Sequence, residues 1–504
     1  MSPLAAMAGA VAMAFALLVA YLASVSGLPF PPIALGQAII ETLPGWISVP
    51  LIELLQFWAQ RLLVLGVIGL YVAAGAATGI AAVDRRVTTG AVVGLAALQW
   101  AVTVVLGGVL AGDKIDLSSS LLASAIGAAS FYVALAYLIS AERVATPAAG
   151  TRRRALLIGA AAAAIVAAAG VVLGGTVRAA RARIEPVALA VRNLRAREPV
   201  APGDPAFEAV ESLEARITQN ERHYTVDTTL ITPRVDVSLW RLDVVGEVER
   251  PYSIYYEALL DLPAIERPHT LECISNEIGG DLISTAVWTG VPMADLLARA
   301  APKAGAFDVV LTSVDGYTDS IRLAKALEPD TLVAYLMNGV TLPEDHGYPA
   351  RALIPGIYGM KNVKWLTKIE AVTFDYQGYW MERGWSDVAT YNTHVRIDAP
   401  AAPARPIEGR VVIAGLAFAG QRGISRVEVS TDGGRTWSDA QLEAPPGRHT
   451  WRRWRYVWTP PGAGRHRVVA RATDGTGQAQ TAVERPPFPS GSTGYHVRDV
   501  SVTA

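Results

Sequence analysis

Hydrophobic and polar positions follow three different rhythms along this chain. Up to about residue 175 they form long, almost unbroken apolar runs near 4–25, 58–82, 88–111, 118–140 and 155–175. Each is close to the roughly 20 helical residues that cross a hydrocarbon layer, so the pattern predicts an all-α bundle of five transmembrane helices over 1–176. Between the first two runs, Leu28-Pro29-Phe30-Pro31-Pro32 opposes a continuous helix, and the amphipathic piece up to Gln56 reads as an interfacial segment. Residues 177–216 are charged and proline-containing and read as a linker. Over 217–398, short β-branched runs such as 240–245 mix with helical stretches such as 293–300 without regular βαβ alternation, which predicts an α+β domain. Beyond the proline-rich hinge at 399–406 come short strands at 411–415, 426–430, 450–458 and 466–473, divided by Asp432-Gly433-Gly434 and Asp474-Gly475-Thr476-Gly477. That text predicts an immunoglobulin-like β-sandwich over 399–504.

Charge sharpens the first boundary: 14 charged residues precede position 176 and 75 follow it. The first third therefore reads as embedded in membrane lipid. The near balance of 44 basic and 45 acidic residues offers no electrostatic reason for a nucleic-acid partner. Short loops carrying Arg85-Arg86 and Arg152-Arg153-Arg154 belong on the cytoplasmic side, which places everything after about 176 outside the cell membrane, although Arg178, Arg181 and Arg183 weigh against it. The three arginines before the last apolar run also resemble an internal twin-arginine export signal; the alternative is an interfacial helix anchor. All seven histidines lie at or beyond His223, so no bis-histidine haem fits the bundle. Glu53 and Arg61 alone stand near a span start, too few for an ion path, and the bundle reads as an anchor or docking surface. The single cysteine, Cys273, excludes an intramolecular disulfide, a four-cysteine zinc site and an all-cysteine iron–sulfur cluster.

Three segments carry chemistry. In Leu271-Glu272-Cys273-Ile274-Ser275-Asn276-Glu277-Ile278-Gly279-Gly280, the lone thiol precedes glycines that permit close backbone approach. Asp345-His346-Gly347-Tyr348-Pro349-Ala350-Arg351, followed by Gly359-Met360-Lys361-Asn362-Val363-Lys364-Trp365, joins cations to glycine turns, as a phosphate-bearing cofactor needs. The turn around Asp315 offers polar acceptors. Taken singly, each is also compatible with a plain core or loop role.

In this order and spacing, from about Trp240 to the C-terminus, the segments resemble the sulfite oxidase family of molybdenum-cofactor enzymes, most specifically over 334–365. The resemblance implies that the Cys273 thiolate binds molybdenum beside the dithiolene of a pyranopterin, which suits a soft sulfur donor. Matched position by position, it places His346, Arg351, Asn362, Val363 and Lys364 on cofactor-contact positions, with Asp315 aligning across a loop of different length. It makes the all-β region a dimerisation module. Departures are informative. Asp227 falls where the family holds its anionic substrate with arginine, Glu277 and Ile278 replace basic residues after the cysteine, and Trp385 stands where an active-site tyrosine is found. A carboxylate about 4 Å from a dianion repels it by several kcal/mol in a partly desolvated pocket, so a non-sulfite substrate is expected. The segment Asn220-Glu221-Arg222-His223-Tyr224 resembles the opening of the bacterial methionine-sulfoxide-reductase-like branch, making Asn220, Arg222 and His223 pocket candidates, or simply the start of a strand. Trp380, Arg383 and Trp385 form either an aromatic wall or a packed cluster.

The expectation is a membrane-anchored molybdopterin oxidoreductase carrying out two-electron oxygen-atom transfer on a small molecule. With no haem or cluster ligands in the chain, electrons pass to or from a separate electron-transfer protein or quinone-linked partner. Oxidase and reductase directions both stay open, as do sulfite oxidation proper and a cofactor-free binding module that kept the fold.

Overall fold

The computed structural model describes residues 3–24, 30–55, 58–83, 91–95, 97–102, 117–144, 185–230, 232–401 and 403–503, and divides into two compact units. In the helical unit, Pro3–Ser24, Ala59–Val83 and Ser120–Ile139 are long and apolar enough to cross a membrane. They coincide with the runs predicted at 4–25, 58–82 and 118–140. Of the run at 88–111, residues 91–95 and 97–102 are helical; its remainder, the run at 155–175, Arg85-Arg86, the motif at 151–157 and Arg178, Arg181 and Arg183 lie outside the described residues. The expected interfacial piece is two helices, Pro31–Thr42 and Gly45–Leu55. Pro31 and Pro32 stand in the first turn, where a missing N–H breaks no intrahelical bond. Gly9 faces Gly75 and Gly79 with no room for a Cβ between them. Such close backbone approach lets the two helices pack through van der Waals contact.

The second unit contains two mixed sheets. One orders Leu194–Arg197, Ala264–Glu272, Ile283–Pro292, Leu332–Met337 and Arg351–Leu353, antiparallel except for its first pair, with Val340–Thr341 added to Leu332–Met337. The other orders Tyr252–Tyr255, Arg241–Gly246, Leu366–Val372, Asp308–Ser313 and Thr318–Arg322. Leu332–Met337 is buried along its whole length, which is why its sequence reads as an unbroken apolar run, whereas Arg241–Gly246 buries alternate residues. Residues 185–216, expected as a linker, lie on this unit. Leu194–Arg197 pairs with Ala264–Glu272, Phe207 is buried, and Arg216 meets Glu443 at 2.7 Å. Charged composition does not reveal such specific partners.

From His394 onward the chain is all-β. His394–Ala399, Val411–Phe418, Arg452–Trp458 and Gln441–Leu442 form one four-stranded sheet; Ser438–Asp439, Ile424–Ser430, Gly464–Asp474 and His496–Val502 form another. Ile413, Val427, Trp454 and Val468 from both sheets share one core. The Asp-Gly turns are closed by their aspartates: Asp432 Oδ1 accepts from the N–H groups of Arg435 and Thr436, and Asp474 Oδ1 from those of Thr476 and Gln478.

Candidate active site

The strand Ala264–Glu272 delivers Cys273 to the end of the first sheet. The Cys273 N–H still donates to the Leu282 carbonyl at 2.9 Å, after which the chain turns back, with Asn276 N–H on the Cys273 carbonyl. Asn276 clamps the turn, accepting from Leu282 N–H at 3.0 Å and donating to Glu272 Oε1 at 2.9 Å. Glu272 is fully buried and its carboxylate contacts His394 Nδ1, whose Nε2 reaches the Ser492 carbonyl at 2.8 Å. Burial works to lower the His394 pKa, but the Glu272 contact and the Ser492 carbonyl outweigh it and the net shift is upward.

Cys273 is 7% exposed, and its Sγ lies 2.9 Å from Ser275 Oγ. Burial pushes the thiol pKa up; Ser275 and Lys364 act in the opposite sense, and Glu272 adds to the rise. A free thiol here stays protonated, so a thiolate requires a cation bonded to it. Two phenols, Tyr224 and Tyr391, feel Cys273 electrostatically, and burial raises the pKa of both. The Tyr391 hydroxyl is buried against the Glu272 backbone. Gly359 passes over Tyr224: an added Cβ would stand 2.5 Å from the Tyr224 hydroxyl and 3.2 Å from the Glu272 carbonyl.

Stacked on the Tyr224 ring, at 5.5 Å, is one member of a histidine pair. The His223 and His346 rings are 5.1 Å apart, and the His223 ring packs edge-on to Trp288 at 5.8 Å. His346 Nε2 meets the Asn220 carbonyl at 2.9 Å, while Asn220 Oδ1 accepts from Asn338 at 2.7 Å. His223 Nδ1 lies 3.2 Å from the Tyr224 carbonyl; its Nε2 is buried without a partner. Burial pushes the His346 pKa down to about 4, with Arg351 and Lys364 adding to the drop, and burial, then His346, hold that of His223 well below its ordinary value. Both rings are neutral at ordinary pH.

The cations are tied down. Arg351, pushed down to about 10 by burial, donates to the carbonyls of His346 at 3.1 Å and Asn362 at 3.0 Å and lies 5.2 Å from the Trp288 ring centre. Lys364 donates to the Asp345 carbonyl at 2.9 Å and pairs with Asp227. The Asn362 side chain accepts from Ile354 N–H at 2.6 Å and donates to the Tyr358 carbonyl at 3.2 Å; the Val363 carbonyl accepts from Ala352 N–H. These two residues hold the loop in shape.

Cys273, His223, His346, Arg351, Lys364, Asp227 and Asn220 are thus brought together, with Asn362 and Val363 as their scaffold. Other expected residues behave differently. Arg222 is exposed, because the 3₁₀ turn Asn220–Arg222 points it outward while burying the next residue, His223. Asp315 Oδ1 closes its own turn, accepting from Tyr317 N–H at 3.0 Å. Trp385 packs edge-on to Trp380 at 6.2 Å and Phe488 at 5.3 Å, with its indole N–H unpartnered. Asp227 is no lone carboxylate, since Lys364 neutralises it, and Glu277 is exposed to water. The expected repulsion of a dianion by these two groups is corrected accordingly. Glu272, His394 and Tyr391 were missed. Glu272 adjoins the thiol in sequence, which is a signal; His394 and Tyr391 lie more than a hundred residues away, with none.

The buried donor set fits a cofactor that binds through sulfur: a buried free thiol in the field of Lys364, with polar atoms on His223 and Glu272 left over after internal bonding. The family description "oxidoreductase molybdopterin binding domain" matches residues 229–380, and "Mo-co oxidoreductase dimerisation domain" matches 388–484. The chain is 31% identical over 268 residues to sulfite oxidase of Arabidopsis thaliana, a match covering 43% of this chain and 68% of that one. This chain belongs to the sulfite oxidase family. Mitochondrial sulfite oxidase of Rattus norvegicus is 31% identical over 54% of this chain, and the match spans 59% of the rat protein. Nitrate reductase [NADH] 1 of Oryza sativa subsp. japonica is 30% identical over 45% of this chain and 31% of its own. Among solved structures, the sulfane dehydrogenase SoxCD of Paracoccus pantotrophus superposes with a TM-score of 0.51 at 23% identity, covering 58% of this chain and 85% of that one, a likeness of fold.

Proposed function

We propose that this member of the family is a membrane-anchored molybdopterin oxidoreductase, facing the extracytoplasmic side, that carries out two-electron oxygen-atom transfer on a small, uncharged substrate. The observation that carries the proposal is the buried Cys273 thiol, which acts on the Tyr224 and Tyr391 phenols, with the neutral His223–His346 pair stacked on Tyr224 through His223. When bound, the molybdenum cofactor supplies the oxygen-atom and electron chemistry. Cys273 is its protein ligand, and the loop from His346 to Lys364 is its cradle, held by the Arg351 and Asn362 bonds. His223 offers a ring nitrogen to whatever lies beside it. The substrate class follows from charge. Among the described residues of this cluster, Arg351 is tied to carbonyls and Lys364 to Asp227, so neither is preset for a dianion. S-oxides and N-oxides, or the matching reduced compounds, meet that requirement.

A second reading, sulfite oxidation itself, is favoured by the Asp227–Lys364 pair, which cancels the carboxylate that would repel sulfite. Electrons are exchanged with a separate partner. The C-terminal β region is proposed as an immunoglobulin-like sandwich that pairs two copies. Metal and pterin assay of wild type and Cys273→Ser, then a turnover screen of S-oxides, N-oxides and sulfite with artificial electron carriers, tests the reading. Wild type with molybdenum near one per chain, an altered molybdenum signal in Cys273→Ser, and turnover of a neutral oxide support it. Absence of molybdenum from a cofactor-competent host, or unchanged turnover in Cys273→Ser, overturns it.

A further inference from the structure

Away from the thiol, a second pair of buried histidines lies against a surface cleft. The cleft, of about 410 Å³, is lined by Arg197, Glu198, Arg267, Asp330 and Arg448. The Asp330 carboxylate contacts Arg267 and Arg448 and lies 2.9 Å from His449 Nε2. The Arg448 guanidinium also lies 3.2 Å from His449 Nε2, while His449 Nδ1 is buried and unpartnered. The His269 ring, 1% exposed, lies 5.9 Å from that of His449, and neither of its nitrogens has a partner. On its far side, the His269 carbonyl accepts the Trp288 indole N–H at 3.3 Å. The same indole carries the Arg351 guanidinium at 5.2 Å and the His223 ring at 5.8 Å, so Trp288 spans the gap between the two histidine pairs.

We propose that His449 and His269 form a proton path, completed by ordered water, between the Asp330 cleft and the site behind Trp288. The proposal rests on the oxygen-transfer reading, because XO + 2 H⁺ + 2 e⁻ gives X + H₂O, or the reverse, with electrons exchanged with the separate redox partner. Each turnover must therefore move two protons across a buried shell. Unpartnered polar atoms in an interior are costly and are ordinarily satisfied by bound water, and a phenylalanine or leucine at 269 would fill the space without that cost. Burial, then His449 and Arg267, hold His269 well below its ordinary pKa, with Arg351 and Lys325 contributing; burial, then Arg448 and Arg267, hold His449 at about 4, partly opposed by Glu198. Both rings are neutral at rest and release a transient proton instead of trapping it.

The test uses the full-length holoenzyme and the variants His269→Phe, His269→Gln and His449→Gln. Expected are unchanged molybdenum content and KM, kcat lowered about tenfold or more, recovery of kcat with added imidazole, and water between the two rings in a high-resolution crystal structure. His269→Phe with full kcat, variants that lose molybdenum, or an active wild type whose two rings are in dry contact would each overturn the path. Wild type that holds molybdenum but turns over no oxide overturns the oxygen-transfer reading and removes the need for the path with it. Metal content and water positions, read without turnover, tell these failures apart.

Discussion

Asp227→Asn keeps the size of the side chain and removes the charge facing Lys364. The Lys364 and Asp227 side chains are 13% and 19% exposed, so salt screens the pair much less than a surface ion pair. At an effective dielectric constant of about 20, unit charges about 4 Å apart attract by about 4 kcal/mol. Removing one partner from a buried pair costs about 3–5 kcal/mol. Lys364 keeps its bond to the Asp345 carbonyl, which puts the expected loss at the lower end, about 3 kcal/mol. The variant also leaves an ammonium group uncompensated beside the thiol, and an anion should take the place of Asp227. An anion supplied at about 100 times its Kd returns about 2.7 kcal/mol. Burial already lowers the Lys364 pKa while Asp227 raises it, so the variant lowers it further and the anion effect should fade as pH rises. Thermal unfolding of wild type and Asp227→Asn, with and without sulfite or sulfate, reads both effects. A variant that melts with wild type and ignores both anions would show that Asp227 is not the counterion of Lys364.

Two further outcomes are expected. Gly359→Ala places a methyl group against the Tyr224 hydroxyl and the Glu272 carbonyl and should cost about 1–3 kcal/mol, with loss of molybdenum as Tyr224 is displaced; full metal content and an unchanged melting temperature would contradict this. Burial holds His346, His449 and His496 at about 4, below the value of about 6.5 for an unfolded chain. Between those values the unfolded chain binds more protons, so the stabilisation is complete above about pH 6.5 and falls away toward pH 4, by up to about 3 kcal/mol per histidine. His394, with its raised pKa, acts in the opposite sense: its contribution is full below the unfolded value and is lost as pH rises through the folded one. Urea midpoints measured from about pH 7 to about pH 4 should fall steadily; a flat profile would remove the buried neutral histidines.

What the sequence determined by itself was set by local composition and order. Apolar runs of spanning length mark Pro3–Ser24, Ala59–Val83 and Ser120–Ile139, because helix length against a hydrocarbon layer is a one-dimensional property. Asp-Gly turns mark the β region, because an aspartate closing its own turn needs no distant partner. The motif around Cys273 and the His346–Lys364 stretch point to the site for the same reason. Tertiary structure decided everything that depends on a partner far along the chain. It bound residues 185–216 onto the domain, where composition suggested a free linker, and it paired Asp227 with Lys364, turning an apparent repulsive charge into half of a neutral pair. It turned Arg222 out and His223 in, and brought Tyr391 and His394 to a thiol more than a hundred residues away. Burial, which sets whether a histidine or a thiol is charged, is a property of the packed chain, and no window of sequence contains it.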